Sequence, residues 1–257
     1  MIEAKSVYIG ERVTFGNVDI KINGDFYIGN DSHLGDCEIR GNNIHFGNHL
    51  YVSKGLRVGG GGHEGPDANL WVGNRCVMHN NFINVCEPVV IGDDVGLSQE
   101  VSIITHGFWQ SVLEGFPAKF EPVTIMDGVI VGYRSTILPG SHIEKDVVIG
   151  AGSVVTGYLE SGIYAGVPAK HIGDFKEMTD DDKRNAIDKI MAKYARLCQF
   201  KEMMSDVRVN YPIVEVNGFF VNVESLKWWG TESRESDHFR DFIRKFGLRI
   251  YTERRFG

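Results

Sequence analysis

From the first residues to about position 172, one large aliphatic side chain recurs at every sixth position, with small, polar or turn-forming residues between. Ile125, Val131, Ile137, Ile143, Ile149 and Val155 keep this spacing without a slip in "VTIMDGVIVGYRSTILPGSHIEKDVVIGAGSVVT". Ile28, Leu34, Phe46, Val52 and Val58 hold the same phase, with Arg40 at the one irregular step. Val72, Met78 and Asn84 follow, then Ile91, Leu97 and Ile103, with one extra residue between Asn84 and Ile91. A period of six matches neither the 3.6 of an amphipathic helix nor the simple alternation of a half-buried strand. It matches very short strands joined by turns, each hexad sending one aliphatic residue inward, with three strands to a coil and coils stacked into a continuous core. Gly, Asp or Asn after the inward residue ("IGN", "IGDD", "VGY", "IGAG") is expected to supply a corner with positive φ. A sandwich with regular turns would show longer and less uniform spacing.

The pattern changes after residue 172. Thr179 stands as an N-cap before an acidic first turn, and Ile187, Ile190, Met191, Tyr194 and Leu197 recur at helical spacing. "DVRVNYPIVEVNGFFVNVESLKWW" then alternates, with "NG" between "IVEV" and "FFVNV" as a hairpin turn. "ESDHFRDFIRKFGLRIY" predicts an amphipathic helix ended by Gly247 and a final short strand. The chain thus divides into a repeat over residues 1–172, a connecting helix over 173–205 and a small α+β appendage over 206–257. An appendage of this size needs an apolar partner surface, either the β-helix or another chain.

Composition narrows the classes of function. The chain has 257 residues, 42% of them hydrophobic, and a formal net charge of −7. Its 16 lysines and arginines from residue 173 nearly balance 15 acids, so the negative charge sits on the repeat. That balance argues against a nucleic-acid partner. The start, "MIEAKSVYIGERV", lacks the features of a secretory signal, and no apolar run is long enough for a membrane span, so a cytoplasmic protein is expected. Cys37, Cys76, Cys86 and Cys198 have no metal-ligating spacing; buried free thiols and no metal are expected. "GGGG" at 59–62 lacks the GK[ST] ending of a phosphate loop, which excludes nucleotide hydrolysis on that motif.

The repeat stops once for about fifteen residues, just after "VSIITH". With three hexads to a coil, Asn84, Ile103 and Ile137 share a corner, and Glu87 falls one coil beneath His106, about 4.8 Å away. A carboxylate there would hold one imidazole nitrogen protonated and leave the other as a base. Two insertions, 59–69 and 107–122, leave the coil after this same corner, so loops wall a site around His106. Asn84 and Trp109 are acceptor-side candidates at this corner. Trp109, with Phe108 and Phe116, can stack on a sugar ring or pack against a neighbouring subunit.

Residues 1–172 resemble the hexapeptide-repeat acyltransferases, especially the galactoside, maltose and xenobiotic acetyltransferase branch, in "PVVIGDDVGLSQEVSIITH", "EPVTIMDGVIVGYRSTILPGSHIEKDVVIGAGSVVT" and "AGVPAK". The resemblance implies a mainly β fold, a left-handed parallel β-helix of hexapeptide repeats with a C-terminal helix and small α+β appendage. It implies acetyl-CoA as cosubstrate, a homotrimer with sites between subunits, and His106 as the base that deprotonates an acceptor which attacks the thioester directly. Carried over to this chain, Tyr133 and Ala151 meet pantetheine through their backbone, Thr156 lies further along the groove, and Lys170 stands near the phosphates. One of Asn80 and Asn81 falls near the family's acceptor-binding asparagine. The chain departs from the branch at Ile130, where a tryptophan is usual, and at Gly157 and Gly173, where basic residues are frequent; Arg134, Lys145 or a neighbouring chain would then supply charge.

The reading that follows is an O-acetyltransferase acting on a carbohydrate hydroxyl, as in surface-polysaccharide synthesis. An N-acetyltransferase of a nucleotide-linked amino sugar would use the same scaffold but needs contacts to a base and diphosphate. A noncatalytic β-helix scaffold would keep its function without His106.

Overall fold

In the computed structural model, which describes residues 1–203, 206–252 and 254, each hexad of the first part is a strand of two to five residues. The chain separates into two compact units, Met1–Phe175 and Lys176–Gly257.

In the first unit successive strands go in turn to three sheets. Sheet A has eight strands, from Ile2–Glu3 to Val154–Val155, and sheet B eight, from Ser6–Ile9 to Tyr158–Leu159. Sheet C has nine, and every pairing in the three sheets is parallel except the last of sheet C, where Lys170–Gly173 folds back on Gly162–Ala165. The result is a parallel β-helix whose interior is the column of hexad aliphatics, among them Ile28, Leu34, Val52, Val72, Ile103, Ile137 and Val155, all buried. Each such side chain contributes about 1.5–3 kcal/mol on leaving water.

Two irregular steps in the phase resolve in one way. Where Arg40 breaks the series, Ile39 is the buried residue, and the strand Cys37–Gly41 is five residues long. Where Asn84 was placed in phase, Ile83 pairs with both Val58 and Ile103 and takes the interior position. The hexad therefore slips by one residue on sheet A, and Asn84 moves to the start of the corner.

The corner glycines also have a different cause from the one the sequence suggests. A Cβ at Gly29 would lie 2.6 Å from Asn48 Oδ1 and 2.8 Å from Asn48 N, so crowding by the next coil, not positive φ, requires glycine there. The left-handed residue comes two positions later, as in Asp31, His49, Arg75 and Asp94. An amide or carboxylate ladder stitches this edge: the N–H groups of Glu11, Asn30, Asn48, Asn74 and Asp93 donate to Asn30, Asn48, Asn74, Asp93 and Asp127, each at 2.7–2.9 Å.

The second unit has its own core. Helix α1 (Asp180–Phe200) starts at a capping box between Thr179 and Asp182 and buries Ile187, Met191, Tyr194 and Cys198. A four-stranded antiparallel sheet turns at Asn217 and Gly218, both at positive φ, and buries Val214, Val216, Phe219 and Val221. Helix α2 (Arg234–Ile243) adds Phe239, Phe242 and Ile243 to the same cluster, and Gly247 at φ 83 ends the helical turn that follows it. The apolar surface the appendage requires is thus supplied by α1. The expected strand after Gly247 does not form: residues 248–252 are irregular, and Trp228 Nε1 and Arg240 Nε donate to the carbonyls of Tyr251 and Ile250. Met204 and the 205/206 boundary lie outside the described residues.

Candidate active site

The edge where sheet A passes to sheet B carries both insertions. Loop 59–69 leaves after the strand Leu56–Gly59, and the second insertion leaves as a hairpin, with His106–Gly107 paired antiparallel to Lys119–Phe120. The hairpin stem places Phe120 parallel to the His106 ring, with centroids 5.8 Å apart, and Phe108 at 5.6 Å. Trp109 stands 88% exposed further out and touches no ring among the described residues.

His106 Nδ1 lies 2.8 Å from Asn84 Oδ1. Asn84 is buried, and its Nδ2 donates to the carbonyls of Gly59 and Gly61 at 3.0 and 3.1 Å. Those two carbonyls fix which end of the amide is nitrogen, because a flipped amide would set an oxygen against them. Oδ1 therefore faces His106 and accepts, and it also takes the Thr105 hydroxyl at 2.6 Å. An acceptor at Nδ1 requires the proton of the neutral imidazole to sit there, which leaves a lone pair on Nε2. A Cβ built on Gly61 would lie 3.2 Å from that Nε2, so glycine at 61 keeps the atom approachable.

This network corrects the partner expected for His106. With Ile83 under Ile103, the residue one coil beneath His106 is Cys86, and Glu87 is displaced by one position. Glu87 contributes its backbone N–H to Thr105 Oγ1 at 3.1 Å, while the imidazole is held by Asn84. Burial pushes the Cys86 thiol up, and the neighbouring Glu87 charge adds to the effect. Asn81 is moved off the acceptor side: it is buried, its Nδ2 donates to Ser98 O at 2.7 Å, and its Oδ1 accepts from His79 N. Asn80 is exposed at the same corner and accepts from Glu100 N at 3.3 Å. Both lie at the far end of the Phe82–Asn84 strand from His106.

Tyr133, Ala151 and Lys170 fall along the edge between sheets C and A. Gly152 N donates to Tyr133 O, and the turn bearing Lys170 stacks on Val154 through Ala169 N. Ala151 and Lys170 are exposed, and Lys170 has no ion pair among the described residues. Thr156 lies at the other edge of sheet A, in register with Leu138 and Ile104, two residues before His106. Arg134 is committed to Glu100, whose carboxyl it holds below the usual range. Ile130 lies on sheet C, the face opposite the edge of His106. Among the described residues no group of His, Cys, Asp and Glu is arranged to hold a metal ion, and no helix is long and apolar enough to cross a membrane.

Sequence reasoning missed two contributors, Thr105 and Phe120. The loop at 59–69, expected to wall the site, lies where it was expected: Gly60 and Gly61 stand against Asn84 and His106, and Gly62, at φ +80, against Cys86. Thr105 and Phe120 carried no motif. The hint was Asn84 itself, an amide where the hexad reserves an aliphatic residue.

Comparison with known proteins agrees with this architecture. A model of the bacterial transferase hexapeptide, six repeats long, matches residues 122–157. WbbJ of Escherichia coli K12, assigned to lipopolysaccharide biosynthesis as an O-acetyl transferase, is 32% identical over 158 residues, 56% of this chain and 78% of WbbJ. YJL218W of Saccharomyces cerevisiae, assigned as an acetyltransferase, is 38% identical over 120 residues, 45% of this chain but only 59% of the yeast protein. The polysialic acid O-acetyltransferase OatWY superposes with a TM-score of 0.49 at 20% identity, covering 70% of this chain and 93% of that one. The chain belongs to the hexapeptide-repeat acyltransferase family.

Proposed function

We propose that this protein is an acetyl-CoA-dependent O-acetyltransferase acting on a carbohydrate hydroxyl in surface-polysaccharide synthesis, in the cytoplasm and as a homotrimer. The observation that carries the reading is the imidazole of His106, with Nδ1 against Asn84 Oδ1 and Nε2 facing an open glycine loop. A sugar hydroxyl at Nε2 gives up its proton to the ring as its oxygen attacks the thioester carbonyl, and the coenzyme thiolate leaves and recovers the proton from His106. Asn84 holds the imidazolium in place, because its oxygen continues to accept from Nδ1. The kinship with WbbJ, which covers most of that protein, supports the carbohydrate acceptor.

The test is incubation with acetyl-CoA and a panel of oligosaccharides and nucleotide amino sugars, following free thiol and product mass. A transferred acetyl group that mild base removes upholds the O-ester. A base-stable acetyl on an amino sugar, or no thiol release with any acceptor, contradicts it.

A further inference from the structure

We propose that the acceptor is anionic and that Arg57 recognises its negative charge, a carboxylate or a phosphate carried on the sugar. This rests on the acetyl-transfer reading above and names the substrate class for the same site. The first unit has five arginines. Arg12, Arg40, Arg75 and Arg134 each pair with a carboxylate. Arg57 has no carboxylate within ion-pair distance among the described residues; its guanidinium instead stands over the Phe82 ring, 5.4 Å from the centroid. Glu38 is its direct neighbour across the ladder, yet that carboxylate is turned to Arg40 at 3.3 Å. A guanidinium stacked on an aromatic face keeps its planar fork of donors turned outward, which suits two-point recognition of an anion.

Its position ties this free charge to the site. Phe82 begins the strand that ends in Asn84, and a Cβ on Gly60 would lie 3.1 Å from Phe82 Cζ and 3.0 Å from Asn84 Nδ2, so ring, loop and orienting amide are in contact. Arg57 lies on sheet A two strands before the strand that leads into His106. Along the axis of the repeat that places it about 10 Å from the level of His106, at the spacing of neighbouring strands; across the sheet it is in register with Phe82 and Ser102, at the end of these strands away from His106, so an acceptor longer than a single sugar ring bridges the two. The residues suited to the cosubstrate, Ala151, Thr156 and Lys170, belong to coils on the opposite, C-terminal side of His106. The anion that Arg57 meets is therefore the acceptor's and not the coenzyme's.

The experiment measures binding of trigalacturonate, of its carboxyl-reduced neutral counterpart and of galactose 1-phosphate to the full chain and to its Arg57→Gln and Arg57→Lys variants. One charge-assisted interaction corresponds to a preference of about tenfold or more. The expected result is that at least one anionic sugar binds the wild type about tenfold tighter than the neutral one, that Arg57→Gln abolishes the preference without weakening the neutral sugar, and that Arg57→Lys recovers part of it. The two anionic arms show which source of charge the site takes. Equal binding of all three sugars to the wild type, or a preference that survives Arg57→Gln, overturns the proposal. Acetyl transfer to the same sugars is read separately: an anion preference without transfer upholds the subsite and counts against the transferase.

Discussion

At the scale of single residues, the account turns on one buried amide. Asn84 satisfies two loop carbonyls with its nitrogen, and the Thr105 hydroxyl and His106 with its oxygen, so its loss disturbs both the base and the loop above it. His106→Ala should lower turnover by about 10²–10⁴-fold, the range of a positioned general base, at unchanged melting temperature. Asn84→Ala should lower turnover less and also cost about 1–3 kcal/mol of stability for each buried partner left without a bond, seen as a lower denaturation midpoint. Gly61→Ala should cost activity with little cost in stability, because the added methyl meets only the imidazole, at 3.2 Å from Nε2; full activity in that variant would mean that substrate does not approach His106 from this side. His106 was legible in the sequence because the repeat breaks beside it. Asn84's role was not, because a one-residue slip hides behind two adjacent apolar-phase positions, Ile83 and Asn84, and only strand pairing says which one points inward.

At the scale of elements, the hexad predicted strands and their inward residues well, since a short strand with one buried side chain leaves little freedom. The loops were harder: nothing in "GFWQSVLEGFPAKFEP" shows that Phe120 rather than Trp109 meets the imidazole, which depends on the hairpin register between His106 and Phe120. The second unit offers two independent checks. Thr179→Ala removes the hydroxyl that accepts Asp182 N and should cost about 1 kcal/mol, read from the denaturation midpoint. His238 accepts a hydrogen bond from Lys201 Nζ at its Nε2, 3.0 Å away, and burial, followed by the Lys201 charge, lowers its pKa from the ordinary 6.5. The unfolded chain then takes up the proton first as pH falls, so this contribution is intact above about pH 6.5 and lost between there and the lower folded value. Denaturation midpoints should decline over that window, and His238→Gln should flatten the decline; an equal decline in both proteins would contradict the assignment.

At the scale of the whole molecule, the repeat stacks coils of three strands whose A–B edge carries His106 and both inserted loops, and the second unit folds around its own core. The sequence located the change of character near residue 172 but not the partition of α1, because helical periodicity shows that a face is buried without showing against what. The trimer drawn from family resemblance is tested by sedimentation: the 28.7 kDa chain should run at about three times its mass, and a concentration-independent monomer would remove the proposal that sites form between subunits.

The most direct test of the central claim is the tautomer of His106, read from imidazole ¹⁵N shifts in the wild type and in Asn84→Ala at neutral pH. The account predicts a protonated Nδ1 and a bare Nε2 in the wild type, with a mixture of tautomers in the variant. A proton on Nε2 in the wild type would leave no base facing the loop and would contradict it.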